Sequence, residues 1–295
     1  MRIVDPHIHM TSRTTDDYET MHRAGVRVVL EPSFWLGQPR TSTASFTDYF
    51  DSLLGWEPYR AAQFGIHHYC ALALNPKEAN DPRCRGVLDV LPRYLAKDSV
   101  LAVGEVGYDS MTPAEDEVLA RQLELALAQR LPVLVHTPHR DKAAGTTRTL
   151  DVVKEAGLAP EDVLIDHLNE VTIRQVADSG CWMGFSIYPE TKMDPERMVR
   201  LLTEFGTDRI LVNSAADWGR SDPLLTRATG EAMLAAGFDD DQVDQVLWRN
   251  PLEFLARSGR LDLSADLTLG PPLDPSLDAG RNSGRNSVLR GERAS

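Results

Sequence analysis

The sequence predicts an α/β protein of the (β/α)8 TIM-barrel class, a single domain over residues 1–261, on three observations. Short β-rich stretches recur eight times, longer helix-like segments separate them, and the alternation fills about 250 residues, the usual length of such a barrel. The stretches are also apolar almost throughout, as parallel strands covered by helices on both faces must be. An open doubly wound sheet is the alternative, but no Gly-x-Gly-x-x-Gly or Walker-type loop supplies its usual nucleotide site.

Taken in order, the expected strands are RIVD (2–5), VRVVLE (26–31), IHHYCALAL (66–74), VLAVGE (100–105), LPVLVH (131–136), DVLIDH (162–167), CWMGFS (181–186) and RILVN (209–213). Between them EDEVLARQLELALAQR carries a broad apolar stripe through Val118, Leu119, Leu123, Leu125, Ala126 and Leu127, with acidic residues in its first turn. TTRTLDVVKEAG ends on a glycine stop with Lys154 in its last turn, and PLEFLARSG reads as a closing helix. From 262 to 295 the text turns polar and rich in Gly, Pro and Ser, with a small repeat in GRNSGRNS and too little apolar content to fold. We read it as a disordered tail.

Composition narrows the function classes. The 295 residues are 42% apolar and 25% charged, enough for a sizeable core. No apolar run approaches the roughly 18 residues of a membrane span and no signal-type h-region precedes the first strand, so a cytoplasmic protein is expected. Cys70, Cys84 and Cys181 are odd in number and outside any Cys-x-x-Cys pattern, which suggests reduced, buried thiols. A formal net charge of −13 disfavours a broad polyanion-binding surface, so nucleic acid is a weak candidate partner and a small molecule the stronger one. Oligomeric state is not encoded legibly.

The chemistry gathers where the strands end. Residues two apart on a strand share a face, which groups Asp5, His7 and His9 opposite Ile8. Two imidazoles on one face can bind one metal, although a histidine satisfied inside a core is the commoner case. Glu105, His136 and His167 each close a later strand, and Asp217 follows the eighth by a few residues. That end of a barrel carries the active site, and these groups offer the nitrogen and oxygen ligands that zinc, manganese or iron accept. Six such groups outnumber the ligands of one catalytic zinc, so two metals are indicated.

This set of motifs, His-x-His on the first strand, Gly-Glu-x-Gly at 104–107, single histidines closing later strands and Asp217 after the eighth, resembles the TatD-like metal-dependent hydrolases of the amidohydrolase superfamily over roughly residues 1 to 258. The resemblance implies two divalent ions, zinc first and manganese, magnesium or iron as alternatives. His7, His9 and Asp217 would bind one, His136 and His167 the other, and Glu105 both, with Asp217 accepting a proton from a hydroxide held between the metals. The sequence also departs from the nuclease members. Where their sixth strand resembles His-Cys-Phe-Ser/Thr-Gly, this chain has Asp166-His167-Leu168-Asn169-Glu170; where their last aspartate commonly follows Glu-Thr, it has Ala215-Ala216. The ligands are kept and their neighbours changed, which favours metal-assisted hydrolysis of a small metabolite over DNA cleavage. A TatD-like subgroup of the ebo-type bacterial metabolite-trafficking clusters is similar in overall look.

Around these ligands, Arg140 and Lys142 beyond His136 could hold a phosphate or carboxylate, or equally pair with surface acids. Glu31 ends the second strand before a loop with Phe34, Trp35 and Arg40, and Tyr188, Glu190 and Lys192 follow the seventh. Glu31, Tyr188 and Lys192 are candidate substrate contacts on that placement. Asp5 and Asp166 are candidates to accept the second N–H of ligating imidazoles. His67 and His68 suit a buried or edge role in their strand, and His22 a solvated one on its helix. The reading is a binuclear hydrolase of a small, anionic phosphate ester, cyclic ester or amide. The alternatives are a TatD-type DNase or 3′ exonuclease, a mononuclear isomerase or decarboxylase, and a catalytically quiet binding barrel.

Overall fold

A computed structural model describes residues 1–35, 40–265 and 267, and in it the eight expected stretches form one parallel sheet in sequence order. The strands are β1 (Ile3–Asp5), β2 (Val26–Pro32), β3 (His67–Leu72), β4 (Val100–Gly107), β5 (Val133–His136), β6 (Val163–Ile165), β7 (Trp182–Ser186) and β8 (Ile210–Asn213). The sheet is nearly closed into a barrel. Beyond the ends of β1 and β8 the two edges are joined by Ala215 N–H donating to the His7 carbonyl and His9 N–H to the Ala216 carbonyl, both at 2.9 Å.

The helices are α1 (Thr15–Arg23), α2 (Thr43–Asp51), α3 (Glu57–Ala62), α4 (Val87–Leu95), α5 (Pro113–Gln129), α6 (Lys142–Glu155), α7 (Ile173–Ala177), α8 (Pro195–Phe205), α9 (Leu225–Ala235), α10 (Asp240–Asp244) and α11 (Asn250–Ala256). Caps explain several boundaries. Thr112 accepts the Glu115 N–H with Pro113 at the first helical position of α5, and Asp194 caps α8 in the same way before Pro195. Both prolines use positions where a missing N–H costs nothing.

Alternation along the strands sorts the apolar residues into two bodies. Val4, Val28, Leu30, Leu134, Leu164 and Leu211 point into the barrel, while Ile3, Val29, Val133, Val135, Val163, Ile165 and Val212 pack outward against the helices. Phe254 and Leu255 of α11 join the interior set, so the closing helix plugs the barrel. Asn250 fixes that helix by donating from Nδ2 to the carbonyls of Thr207 (2.7 Å) and Ile210 (2.8 Å). The segment expected as a tail begins by packing: Leu263 lies against the interior set and Asp262 exchanges hydrogen bonds with the Tyr69 hydroxyl. Residues 266 and 268–295, the rest of that segment, lie outside the described residues, as do 36–39 of the loop after β2. The three cysteines are free and buried. Among the described residues no helix is long and apolar enough to cross a membrane.

The same alternation builds a polar layer on top of the apolar one. His136, Asp166 and Asn213 each stand two residues beyond an inward leucine, Leu134, Leu164 and Leu211, and so occupy the next inward position of their strand lines. A β-carbon at Gly184 on β7 would come 2.5 Å from Asp166 Oδ1, so glycine is needed there for the carboxylate to fit.

Candidate metal centre

His7 and His9 come together by a route other than simple strand periodicity. The extended pairing of β1 ends at Asp5, and the following backbone is held by the two edge-closing hydrogen bonds and by Asp5 Oδ1, which accepts the His7 N–H at 3.2 Å. Asp5 also accepts the Ser214 N–H (3.3 Å), and among the described residues it makes no hydrogen bond to an imidazole, the partner expected for it from the sequence. Burial raises its pKa to about 7 against the pull of those hydrogen bonds. Glu31 is a second such tie: fully buried, it accepts the Thr11 N–H (2.9 Å) just past His9 and meets His68 Nε2 at 2.8 Å.

Asp166 does meet an imidazole. Its Oδ2 lies 2.6 Å from His7 Nδ1, its Oδ1 accepts the His167 N–H at 2.7 Å, and Asn213 Nδ2 reaches both oxygens at 3.0 and 3.2 Å. Burial opposes ionisation of Asp166, but the His167 and His7 rings outweigh it and hold the carboxyl well below its usual range. An ionised carboxylate can only accept, so His7 Nδ1 carries the hydrogen and, in the neutral ring, Nε2 carries the lone pair. That Nε2 faces His9 Nε2 at 3.2 Å and Glu105 Oε1 at 3.9 Å.

Glu105 is the hub. Its Oε1 is 2.8 Å from His136 Nδ1 and 3.0 Å from His167 Nε2, and its Oε2 accepts from Asn75 Nδ2 at 3.0 Å. Here too burial is overcome by the His136, His167 and His7 rings, which leave the carboxyl well below the usual range. Ser186 Oγ holds His167 Nδ1 at 2.7 Å, and His167 itself sits at φ +61°, a left-handed conformation costly for a side chain of this size. Such strain at a side chain pointing into a shared centre is a mark of a functional site.

Could these groups hold metal? Metal–nitrogen bonds of about 2.0–2.1 Å put neighbouring ligands of one ion roughly 3 Å apart, the separation seen around Glu105 and between His7 and His9. Two groups, His7 with Asp166 and His167, and Glu105 with His136 and His167, gather their donor atoms within 4.8 Å. In the first, Asp166 is consumed by hydrogen bonds and acts by orienting His7. Burial, aided by the charge of His7 on His9 and of Lys192 on His167, holds both rings far below the usual imidazole pKa. Neutral imidazole is the ligating form, and the residues fit.

The six sequence-derived ligands line one cavity of about 180 Å³, with Phe34, Trp35, Asn75, Lys77, His139, Lys192 and Ala215. Asp217 is there without an ion pair or hydrogen bond to an imidazole among the described residues; its Oδ1 takes the Tyr188 hydroxyl (3.1 Å) and the Gly219 N–H (2.8 Å). The expected substrate contacts divide. Lys192 lines the cavity and Tyr188 reaches it through Asp217. Arg140 is exposed and off the lining, Glu31 is spent on His68 and Thr11, and Lys142 donates to Thr137 Oγ1 (2.9 Å) instead of entering the cavity. Burial and Lys192 lower Lys142 to about 8. His139 and Asn75 also line the cavity without being among the expected site residues; each follows its strand end by three residues, close to the signal that found the ligands.

Known proteins share the sequence pattern and the fold. The chain is 24% identical over 257 residues to an uncharacterized metal-dependent hydrolase of Methanocaldococcus jannaschii, covering 85% of this chain and 99% of that protein. The crystal structure of a TatD-like protein from Archaeoglobus fulgidus superposes with a TM-score of 0.73 at 25% identity, over 85% of this chain and 99% of that one. The fold is shared further with a phosphotriesterase homology protein from Escherichia coli, crystallised with phosphate in its active site (TM-score 0.63, 16% identity, 86% and 98% covered). The family model described as TatD related DNase matches residues 4–251, a span that holds all six candidate ligands. The chain is a metal-dependent hydrolase and belongs to the TatD related DNase family.

Proposed function

We propose that His7, His9, Glu105, His136, His167 and Asp217 hold two divalent ions, zinc foremost, and that the centre hydrolyses a small anionic substrate, a phosphate ester, cyclic ester or amide. The observation that carries this reading is the convergence of His136 Nδ1 and His167 Nε2 on one oxygen of Glu105, beside a second pair of imidazole nitrogens 3.2 Å apart. When bound, the ions supply an acidified water and polarise the oxygen of the scissile bond. The chain's own residues do the rest. Glu105 presents Oε1 to the imidazoles, and Asp166 and Ser186 fix His7 and His167. Asp217, with Oδ1 occupied by Tyr188 and Gly219, keeps Oδ2 to take a proton from the attacking water. Lys192 counters the substrate's negative charge.

Two features support a small substrate over a DNA strand. The cavity of about 180 Å³ is smaller than the roughly 300–1,000 Å³ of most ligand sites, which suits a small substrate. A larger groove beginning at Trp35 and Lys77 is lined by Glu78, Asp81 and Asp109, paired with Arg40, Arg83 and Lys77, and so offers a polyanion no surplus of positive charge. The test is metal content per chain, by elemental analysis of protein purified without chelator, beside single-stranded DNA and a panel of phosphodiester, phosphomonoester and lactone. Two equivalents in the wild type, lost together in Glu105→Gln, with turnover in the panel, are expected. A content near zero even after reconstitution with zinc or manganese overturns the reading, and cleavage of DNA alone replaces the substrate class.

A further inference from the structure

The residue that settles how Glu105 presents itself is neutral and is not a ligand. Asn75 follows β3 and is buried. Its Oδ1 accepts the Lys77 N–H at 3.1 Å and so caps the turn Pro76–Glu78; its Nδ2 donates to Glu105 Oε2 at 3.0 Å and to the Ser33 carbonyl at 3.2 Å. Ser33 is itself held by hydrogen bonds to two strands. Its N–H donates to the carbonyls of Ala71 (2.8 Å) and Gly104 (3.2 Å), and its Oγ accepts the Ala73 N–H at 3.0 Å. The amide orientation follows from the network, because a flipped amide would set its oxygen against both the Glu105 carboxylate and the Ser33 carbonyl.

We infer that Asn75 is the positioning residue of this centre, the group that fixes the plane of the Glu105 carboxylate and thereby selects Oε1 to face His136 and His167. The last torsion of a glutamate is broad and roughly two-fold, so a carboxylate held only by the imidazoles could rotate about its end. A donor on Oε2, anchored to the ends of β2, β3 and β4 through Ser33, removes that freedom. An oxygen accepting one hydrogen bond also keeps a second lone pair, so Oε2 remains available to a second ion. The inference rests on the metal reading of the site.

Asn75→Asp tests it. The variant keeps the size of the side chain and the cap on Lys77 but loses both donors; Asn75→Ala, which removes the cap as well, is the companion. Zinc affinity is measured by competition with a chromogenic chelator, the visible spectrum is recorded on cobalt-substituted protein, and thermal unfolding is followed on the metal-free chain. Partners behind metal ligands typically set 10–100-fold in affinity, and a loss of that size in both variants is expected, with an altered cobalt spectrum and a metal-free Asn75→Asp that unfolds cooperatively. Wild-type affinity and spectrum in Asn75→Asp overturn the inference, as does a loss of metal-free stability with metal binding intact. A wild type that binds neither zinc nor cobalt instead overturns the metal reading, which keeps the two failures apart.

Discussion

Replacing Asp166 by asparagine should disable His7 as a ligand while leaving the barrel folded. Asp166 Oδ1 serves the His167 N–H and Asn213, and the variant's amide oxygen can keep both. The amide nitrogen then replaces Oδ2, 2.6 Å from His7 Nδ1, and it can only donate. His7 must give up the hydrogen on Nδ1 and carry it on Nε2, the atom that faces His9 and Glu105, where an N–H cannot ligate. The charge-assisted bond lost is worth about 1.5–3 kcal/mol, and a supporting carboxylate behind a ligating histidine typically governs 10–100-fold in metal affinity, or about 1.4–2.8 kcal/mol. Against a total stability of about 5–15 kcal/mol the fold survives. Asp166→Ala would be a poorer probe, since it orphans three buried donors at about 1–3 kcal/mol each and so approaches the whole stability. The assay is chelator competition for zinc, with urea unfolding of the metal-free chain as control. If Asp166→Asn binds zinc as tightly as the wild type while His7→Ala does not, the orienting part assigned to Asp166 is wrong.

Two further outcomes follow from where side chains lie. Lys192→Met should raise KM for a phosphorylated or carboxylated substrate by about tenfold more than for a neutral analogue, and Arg140→Ala should change neither; an equal effect of the two substitutions refutes the assignment of Lys192 to the substrate's charge. Phe254→Ala, which empties the fully buried plug of the barrel, should cost about 3–5 kcal/mol in urea unfolding and leave metal stoichiometry unchanged. A loss below about 1 kcal/mol would mean that α11 does not close the interior.

The strands were legible because a parallel barrel buries both faces, which turns each strand into a run such as LPVLVH that no helix period imitates. The candidate ligands were legible for a related reason: a polar residue closing an apolar run marks the rim, and Glu105, His136 and His167 all do so. Contacts across the barrel were not. Glu31 looks like a rim carboxylate from its position, yet β2 continues to Pro32 and register sets His68 of β3 against Val29, within reach of Glu31. Asp5 sits two residues before His7 and seemed to share its face, but the strand stops first and the carboxylate turns to backbone N–H groups. Asn75 acts on a residue 30 positions away, and nothing local to ALALNPKE announces that. Periodicity reports which way a side chain faces; it carries no information about which partner it finds there.

The polar layer supports the proposal that a metal sits at this spot. On β5, β6 and β8 the inward leucine is followed two residues on by His136, Asp166 or Asn213, so an apolar interior gives way to a dense polar floor within one strand repeat. Most floor contacts are closed by hydrogen bonds, yet His9 Nδ1, His136 Nε2 and Asn213 Oδ1 are buried with no hydrogen-bond partner among the described residues, and His7 and His9 point ring nitrogens at each other. Buried polar atoms without partners are costly, and His9, which burial keeps well below the usual imidazole pKa, faces His7 Nε2 at 3.2 Å. On the proposed reading a divalent cation would resolve the His7–His9 and Glu105 clusters at once, since the imidazoles would offer it lone pairs and its charge would balance the ionised carboxylate. The strained backbone of His167 is then intelligible as well, since only a turn back over the barrel's rim brings its Nε2 to the oxygen that His136 already faces. On the proposed reading, the chain accepts a locally unfavourable arrangement that bound metal would compensate.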